Sequence, residues 1–247
     1  MQMVKRGQIS LTGGITMRNE MNLKAVSFAA LLPLLLVVAG CASEEPKPYS
    51  GLQAAGKLEK QKEGPAEYLY KAPGADFKKY TKFIIPPAVI YTGSDAQFGD
   101  VPESDRQKIA DYITSEFTKV LNDGGYPVVT QPGPGVAELK FTLAGLELTS
   151  PAGATITHLL PVGVVANLGK GAAGSQGSFM GSVIFAGEIY DSQSNDLLAA
   201  FVTKQYAGAL DYTEVASKLG SAEVGVNKAA EDFKARLDKI HGRTPAK

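Results

Sequence analysis

The stretch "VPESDRQKIADYITSEFTKVLNDGG", Val101 to Gly125, decides the fold. Its apolar residues Ile109, Tyr112, Ile113, Phe117, Val120 and Leu121 recur at steps of three and four. That spacing puts them on one stripe of a helix. Pro102 and Glu103 suit a first turn, and Gly124-Gly125 suits a C-terminal stop. A helix with one apolar stripe needs a layer to lie on, and its flanks supply strands. Upstream, Phe83 to Tyr91 reads as a strand in which Pro86-Pro87 forces a bulge or an edge, since neither proline can donate to a ladder. Downstream, "YPVVT" (126–130) reads as a short strand and "QPGPG" as a loop. "VAELKFTLAGLELTS" (136–150) then alternates at Leu139, Phe141 and Leu143 and changes phase to Leu146 and Leu148. The slip at Ala144-Gly145 predicts a β-bulge.

"SVIFAGEIYDSQSNDLLAAFVTKQYAG" (182–208) reads as a hairpin around the turn residues Ser192 to Asp196. From Thr213 to Ile240 the chain reads as helix, with Val215, Leu219, Ala222, Val226, Ala229, Phe233, Leu237 and Ile240 forming its stripe. Gly220 and Gly225 each weaken it by about 1 kcal/mol relative to alanine, so a break is expected near them. The predicted fold is α+β: a single two-layer domain, a four- to five-stranded mixed sheet with two helices packed on one face. Its first strand–helix–strand unit should cross over right-handed.

Lys+Arg and Asp+Glu number 25 each over 247 residues, so no basic excess points to nucleic acid. The first 40 residues hold Lys5, Arg6, Arg18 and Lys24 against the single acid Glu20. The remainder is thus mildly acidic, which favours solubility and gives no reason to seek phosphates. Four of the five methionines lie at positions 1, 3, 17 and 21, so residues 1–20 read as an upstream mis-start. From Met21, "MNLK" supplies one positive charge and Ala25 to Ala39 a short apolar run with a proline. That run is too short for the ~20 residues of a membrane span and has the form of a secretory signal peptide.

The only cysteine, Cys41, follows at once. A free thiol is most often a small buried core residue, but Val38-Ala39-Gly40-Cys41 resembles the lipobox of bacterial lipoproteins. That resemblance implies a diacylglyceryl thioether on Cys41, cleavage before it, and acylation of the new amine with chains such as palmitate. One acyl chain binds a bilayer marginally at about 0.8 kcal/mol per methylene, whereas three hold permanently. Ala42, in place of Asp, implies the outer membrane by analogy with Gram-negative sorting. The domain layout is then 1–40 signal peptide, 41–66 lipidated cysteine and flexible tether, and 67–247 a periplasmic domain with a glycine-rich insertion at 155–182. A tether of about 25 residues would span roughly 25–30 Å.

Motifs for chemistry are few. "GKGAAG" (169–174) fits G-x-G-x-x-G, but no helix fits behind it to hold a pyrophosphate. "LLPVGVVANL" (159–168) is too short to span a membrane as a helix; the insertion reads as a buried turn with a glycine loop, or as a surface for a partner, a lipid or self-association. His158 and His241 are isolated. Glu147 and Glu188 lie on predicted strands where they could face each other as paired carboxylates. No catalytic residue, metal site or cofactor is expected.

Ser50-Gly51, Tyr80, Ile84-Ile85-Pro86, Tyr126-Pro127-Val128-Val129, Pro132-Gly133-Pro134, the strand with Leu139, Pro161-Val162-Gly163 and "AGEIYDSQSNDLLAAF" together resemble DUF3313, a family of bacterial lipoproteins with a domain of unknown function. The resemblance covers about residues 50–240. It implies a lipid-anchored envelope protein and brings no catalytic residues. The expected function is a non-enzymatic outer-membrane lipoprotein facing the periplasm that binds or scaffolds an envelope protein or associates with itself. The alternatives are a carrier or sensor of a small apolar ligand, held between the sheet and the 155–182 insertion, and an atypical hydrolase.

Overall fold

The computed structural model of the chain describes residues 45–149, 180–208 and 217–243. Its elements in order are β1 (Glu59–Lys60), β2 (Tyr68–Lys71), β3 (Lys82–Ile84), β4 (Val89–Ile90), α1 (Glu103–Asp123), β5 (Val136–Glu147), β6 (Ser182–Asp191), β7 (Leu197–Gln205) and α2 (Gly220–His241). The expected stripe buries Ile109, Ile113, Phe117, Val120 and Leu121. Gly125 ends the helix with φ of 75°. Its N–H donates to the Asn122 carbonyl, and the Tyr126 N–H donates to that of Leu121. This paired closure needs a left-handed residue, which glycine supplies without a Cβ clash.

The sheet is mixed α+β as expected, but larger than four or five strands. Among the described residues it has seven, in the order β1-β2-β7-β6-β5-β3, with β4 also pairing β5. One extra strand comes from dividing the Phe83–Tyr91 segment, and β1 and β2 are the others. β3 and β4 both run parallel to β5, as one edge interrupted where Pro86-Pro87 can donate nothing. β1 lies within the stretch expected as tether. "YPVVT" makes only a bridge to Phe83, because Pro127 can accept from the Phe83 N–H but offers no donor of its own.

The bulge falls where the phase change predicts it: Leu143 faces Phe185 and Gly145 faces Ile184, leaving Ala144 as the extra residue. In consequence Leu139, Phe141, Leu143 and Leu146 all point into the core under the helices, while Ala144 joins the opposite face. The long hairpin is β6–β7, turning through residues 192–196. α2 starts at Gly220, later than expected; residues 217–219 form a turn, and 213–216 lie outside the described residues. Gly225 is there for contact. A Cβ on it would sit 2.8 Å from the backbone of Gln205 and Tyr206, so its absence lets α2 rest on the end of β7.

Both helices lie on one face, as expected, around a core that α1, α2, β5 and β6 share. The other face corrects the tether and the two-layer expectation. Residues 45–58 lie across it, with Tyr49 and Ala54 fully buried and Leu52 nearly so against Ala144, Ile184, Ala186 and Val202. The Ala54 N–H donates to the Glu188 carboxylate at 2.8 Å, and the Tyr49 hydroxyl donates to Gln97. The folded unit therefore starts at Glu45, not at residue 67. Few apolar residues at irregular spacing do this packing, which is why composition alone suggests a tether.

The hairpin turn hangs on Asp191. Its carboxylate accepts from the N–H groups of Ser194 (3.0 Å) and Gln193 (2.9 Å) and from the Tyr80 hydroxyl (2.8 Å). These donors, Ser194 first, then Tyr80 and Gln193, pull its pKa down to about 2. A folded pKa below the ordinary value means the stabilisation is complete above about pH 4 and is lost as pH falls toward 2. After solvent screening at a surface turn it amounts to about 1–2 kcal/mol. Unfolding free energies from urea titrations should fall by that much less between pH 5 and pH 2 in Asp191→Asn than in the parent.

Candidate functional site

Two helices side by side cover about 20 Å of a sheet, each being about 10 Å across. Strands spaced about 4.8 Å apart fill that width after roughly four. α1 rests on β4 and β5, and α2 on β6 and β7. Among the described residues this leaves β2 without a helix above it, and Leu69 on β2 is accordingly 38% exposed. Between β2 and α2 the mismatch opens a cleft of about 240 Å³. Its floor is Ala137, Ile189, Ala199 and Phe201 from the sheet; one wall is Ala229, Phe233, Leu237 and Ile240 of α2; the other is Pro65, Ala66 and Leu69, with Phe77, Tyr80 and Phe83 also lining it.

Each boundary has a local cause. Phe201 faces Gly187 on the neighbouring strand, and a Cβ on Gly187 would come within 2.4 Å of the ring. Glycine there makes room for the phenyl ring beside the sheet backbone. α2 is held by bonds near its C-terminus and to α1. Asp238 accepts from the Tyr126 hydroxyl at 2.9 Å and from Lys234 at 3.0 Å. Burial opposes its ionisation, but these partners hold its pKa below the ordinary value, while burial pushes the Tyr126 phenol up to about 12. Asn227 donates to Glu116 of α1 at 2.8 Å.

The polar groups of the cleft divide by end. Near Pro65, the Thr203 hydroxyl (2.6 Å) and the Gln205 amide (3.0 Å) both donate to the Pro65 carbonyl. Lys71, Asp232 and Arg236 complete the lining. The Lys71 ammonium stands 5.4 Å over the Phe77 ring. Among the described residues, the side chains of Asp232 and Arg236 have no hydrogen bond or ion pair. The cleft can thus take up apolar matter and meet charge at its rim.

Other candidate residues fall elsewhere. Cys41 and its motif Val38, Ala39 and Gly40 lie outside the described residues, as do His158, the glycines from Gly169 to Gly174 and most of the 155–182 insertion. His241 shares a hydrogen bond of 3.1 Å with the Tyr80 carbonyl. Glu147 and Glu188 do not face each other. Glu147 pairs in register with Ser182 and Glu188 with Lys140, which separates them by about 20 Å along the strands. Glu147 accepts from Ser182 at 2.7 Å, and Glu188 holds Ala54. Among the described residues no group of three or more His, Cys, Asp or Glu is placed to hold a metal ion, and no helix is long and apolar enough to cross a membrane.

The sequence does not reveal the cleft. It does place Ala229, Phe233, Leu237 and Ile240 on one stripe, but nothing local says that part of this stripe meets open space. A family model described as protein of unknown function (DUF3313) matches residues 42–233. No curated protein matches the chain in sequence. Among solved structures, a PelC dodecamer from Paraburkholderia phytofirmans is 10% identical, with 72% of this chain and 98% of that one covered at a TM-score of 0.37. A Xanthomonas campestris protein of family DUF330 is 9% identical, covering 70% and 91% at 0.36. A candidate lipoprotein from Caulobacter crescentus is 14% identical, covering 66% and 93% at 0.29. Likenesses this distant carry no argument about what the present chain does.

Proposed function

The chain belongs to the DUF3313 family of proteins of unknown function, and from that premise we propose that it is a lipid-anchored lipoprotein of the bacterial outer membrane, facing the periplasm, that works by binding and not by catalysis. The observation that carries the binding role is the apolar cleft between β2 and α2. A concave, mostly hydrocarbon surface with a few charges at its rim is the usual form of a small-molecule site. Of the two roles open to such a protein, scaffold for an envelope component or carrier of a small apolar ligand, the cleft favours the carrier. It lies against α2, whereas the ligand place expected from sequence, beside the 155–182 insertion, lies outside the described residues.

The anchor is Cys41, with Val38-Ala39-Gly40 as the cleavage motif. The packed chain begins at Glu45, so four residue steps separate thioether and domain. Even fully extended they reach only about 14 Å. The domain therefore works at the headgroups, where an amphiphile leaving the bilayer would first meet protein.

Mass analysis of the native product tests both halves. Under denaturing conditions the chain should begin at Cys41 and carry a diacylglyceryl group and an amide-linked acyl chain. Under native conditions it should retain an apolar ligand. An unacylated sulfhydryl with the leader still attached would overturn the anchor, and clean apo protein from cells would count against the carrier.

A further inference from the structure

The volume and rim of the cleft narrow what it can hold, an inference that rests on reading the cleft as a binding site. We propose that it takes a single-chain amphiphile with an anionic head, the alkyl chain lying over Phe201 and Ala199 and the head set between Lys71 and Arg236. Drug-sized pockets run to about 300–1,000 Å³. At about 240 Å³ this one is nearer the size of one alkyl chain than of a two-chain lipid. Shape and surface agree, since Leu69, Ala199, Phe201, Ala229 and Phe233 present mostly hydrocarbon to the cleft.

Charge chooses the head. At the Pro65 end, Thr203 and Gln205 already spend their donors on the Pro65 carbonyl, which leaves a neutral polar head little to bond. The rim carries two cations, Lys71 and Arg236, against one anion, Asp232. The Arg236 fork has no partner among the described residues, and a guanidinium matches a carboxylate or phosphate with two parallel hydrogen bonds. A cationic head would be repelled, and a neutral one would leave the fork unused. Fatty carboxylates and anionic lysophospholipids share the required chemistry.

The test uses the full mature chain in nanodiscs with photoreactive diazirine probes of equal chain length: a fatty carboxylate, its methyl ester, and a lysophosphatidylglycerol. Crosslinks are mapped by peptide mass. The anionic probes should label the peptides holding Leu69, Phe201 and Phe233 about tenfold more than the ester, the worth of one charge-assisted hydrogen bond. The double variant Lys71→Gln, Arg236→Gln should abolish that preference. Both residues are exposed, so the fold is kept. The relative yields of carboxylate and lysophospholipid then tell which source supplies the ligand. Equal labelling by ester and carboxylate, blocked by the cleft-filling Ala229→Leu, would overturn the anionic head and leave the cleft a binding site. No labelling of the cleft by any probe would overturn both.

Discussion

Phe117→Ala should cost about 3–5 kcal/mol of stability, a large part of the 5–15 kcal/mol that holds a typical domain together. Phe117 is fully buried on α1. Its ring centre lies 4.3 Å from that of Phe141 on β5, and 6.0 Å from those of Phe185 on β6 and Phe233 on α2. One side chain on α1 thus joins α2, β5 and β6. Its removal leaves a hole lined by aromatic rings that cannot collapse without shifting whole elements. Urea unfolding followed by circular dichroism measures the loss. Phe117→Leu should cost visibly less, because it fills most of the space. A drop below about 1 kcal/mol for the alanine variant would mean that the two helices do not share this core.

The second large effect concerns where the domain begins. A chain starting at Glu45 should fold; one starting at Glu67 should not. The longer deletion strips Tyr49 and Leu52 from the sheet, at about 1.5–3 kcal/mol for each buried side chain. It also takes the Ala54 N–H from Glu188, leaving a carboxylate short of a partner at about 1–3 kcal/mol. Together these losses match the lower end of ordinary domain stability. They also bare Ile184, Ala186 and Val202, an apolar sheet face prone to aggregation. Soluble yield and a cooperative thermal transition for each chain decide the matter. Equal stability would show that residues 45–58 do not cover the face.

The sequence was legible where structure repeats. Phe117 stands in a stripe that α1 buries as read, and the Ala144-Gly145 slip appears as a bulge because a strand alternates strictly and one extra residue reverses every later side chain. Residues 45–58 were illegible for the opposite reason. They pack without a period, chiefly by Tyr49, Leu52 and Ala54 with Ala55 and Leu58 beside them, amid charges that face water. Glu147 and Glu188 both lie on strands, but only the register of β5 against β6 shows that they are far apart.

Local order was therefore determined by the sequence itself: α1, the β6–β7 hairpin and the bulge follow from spacings of apolar residues that water drives to one face. The family, too, was readable there, because it is carried by short runs of residues. Which segments meet was decided by the tertiary structure. The cleft exists because two helices are narrower than the sheet beneath them. Lys71 and Arg236 come to line one cleft because β2 pairs with β7 while α2 packs back across it. Widths and pairings of this kind are sums over the whole chain, and no stretch of residues records them.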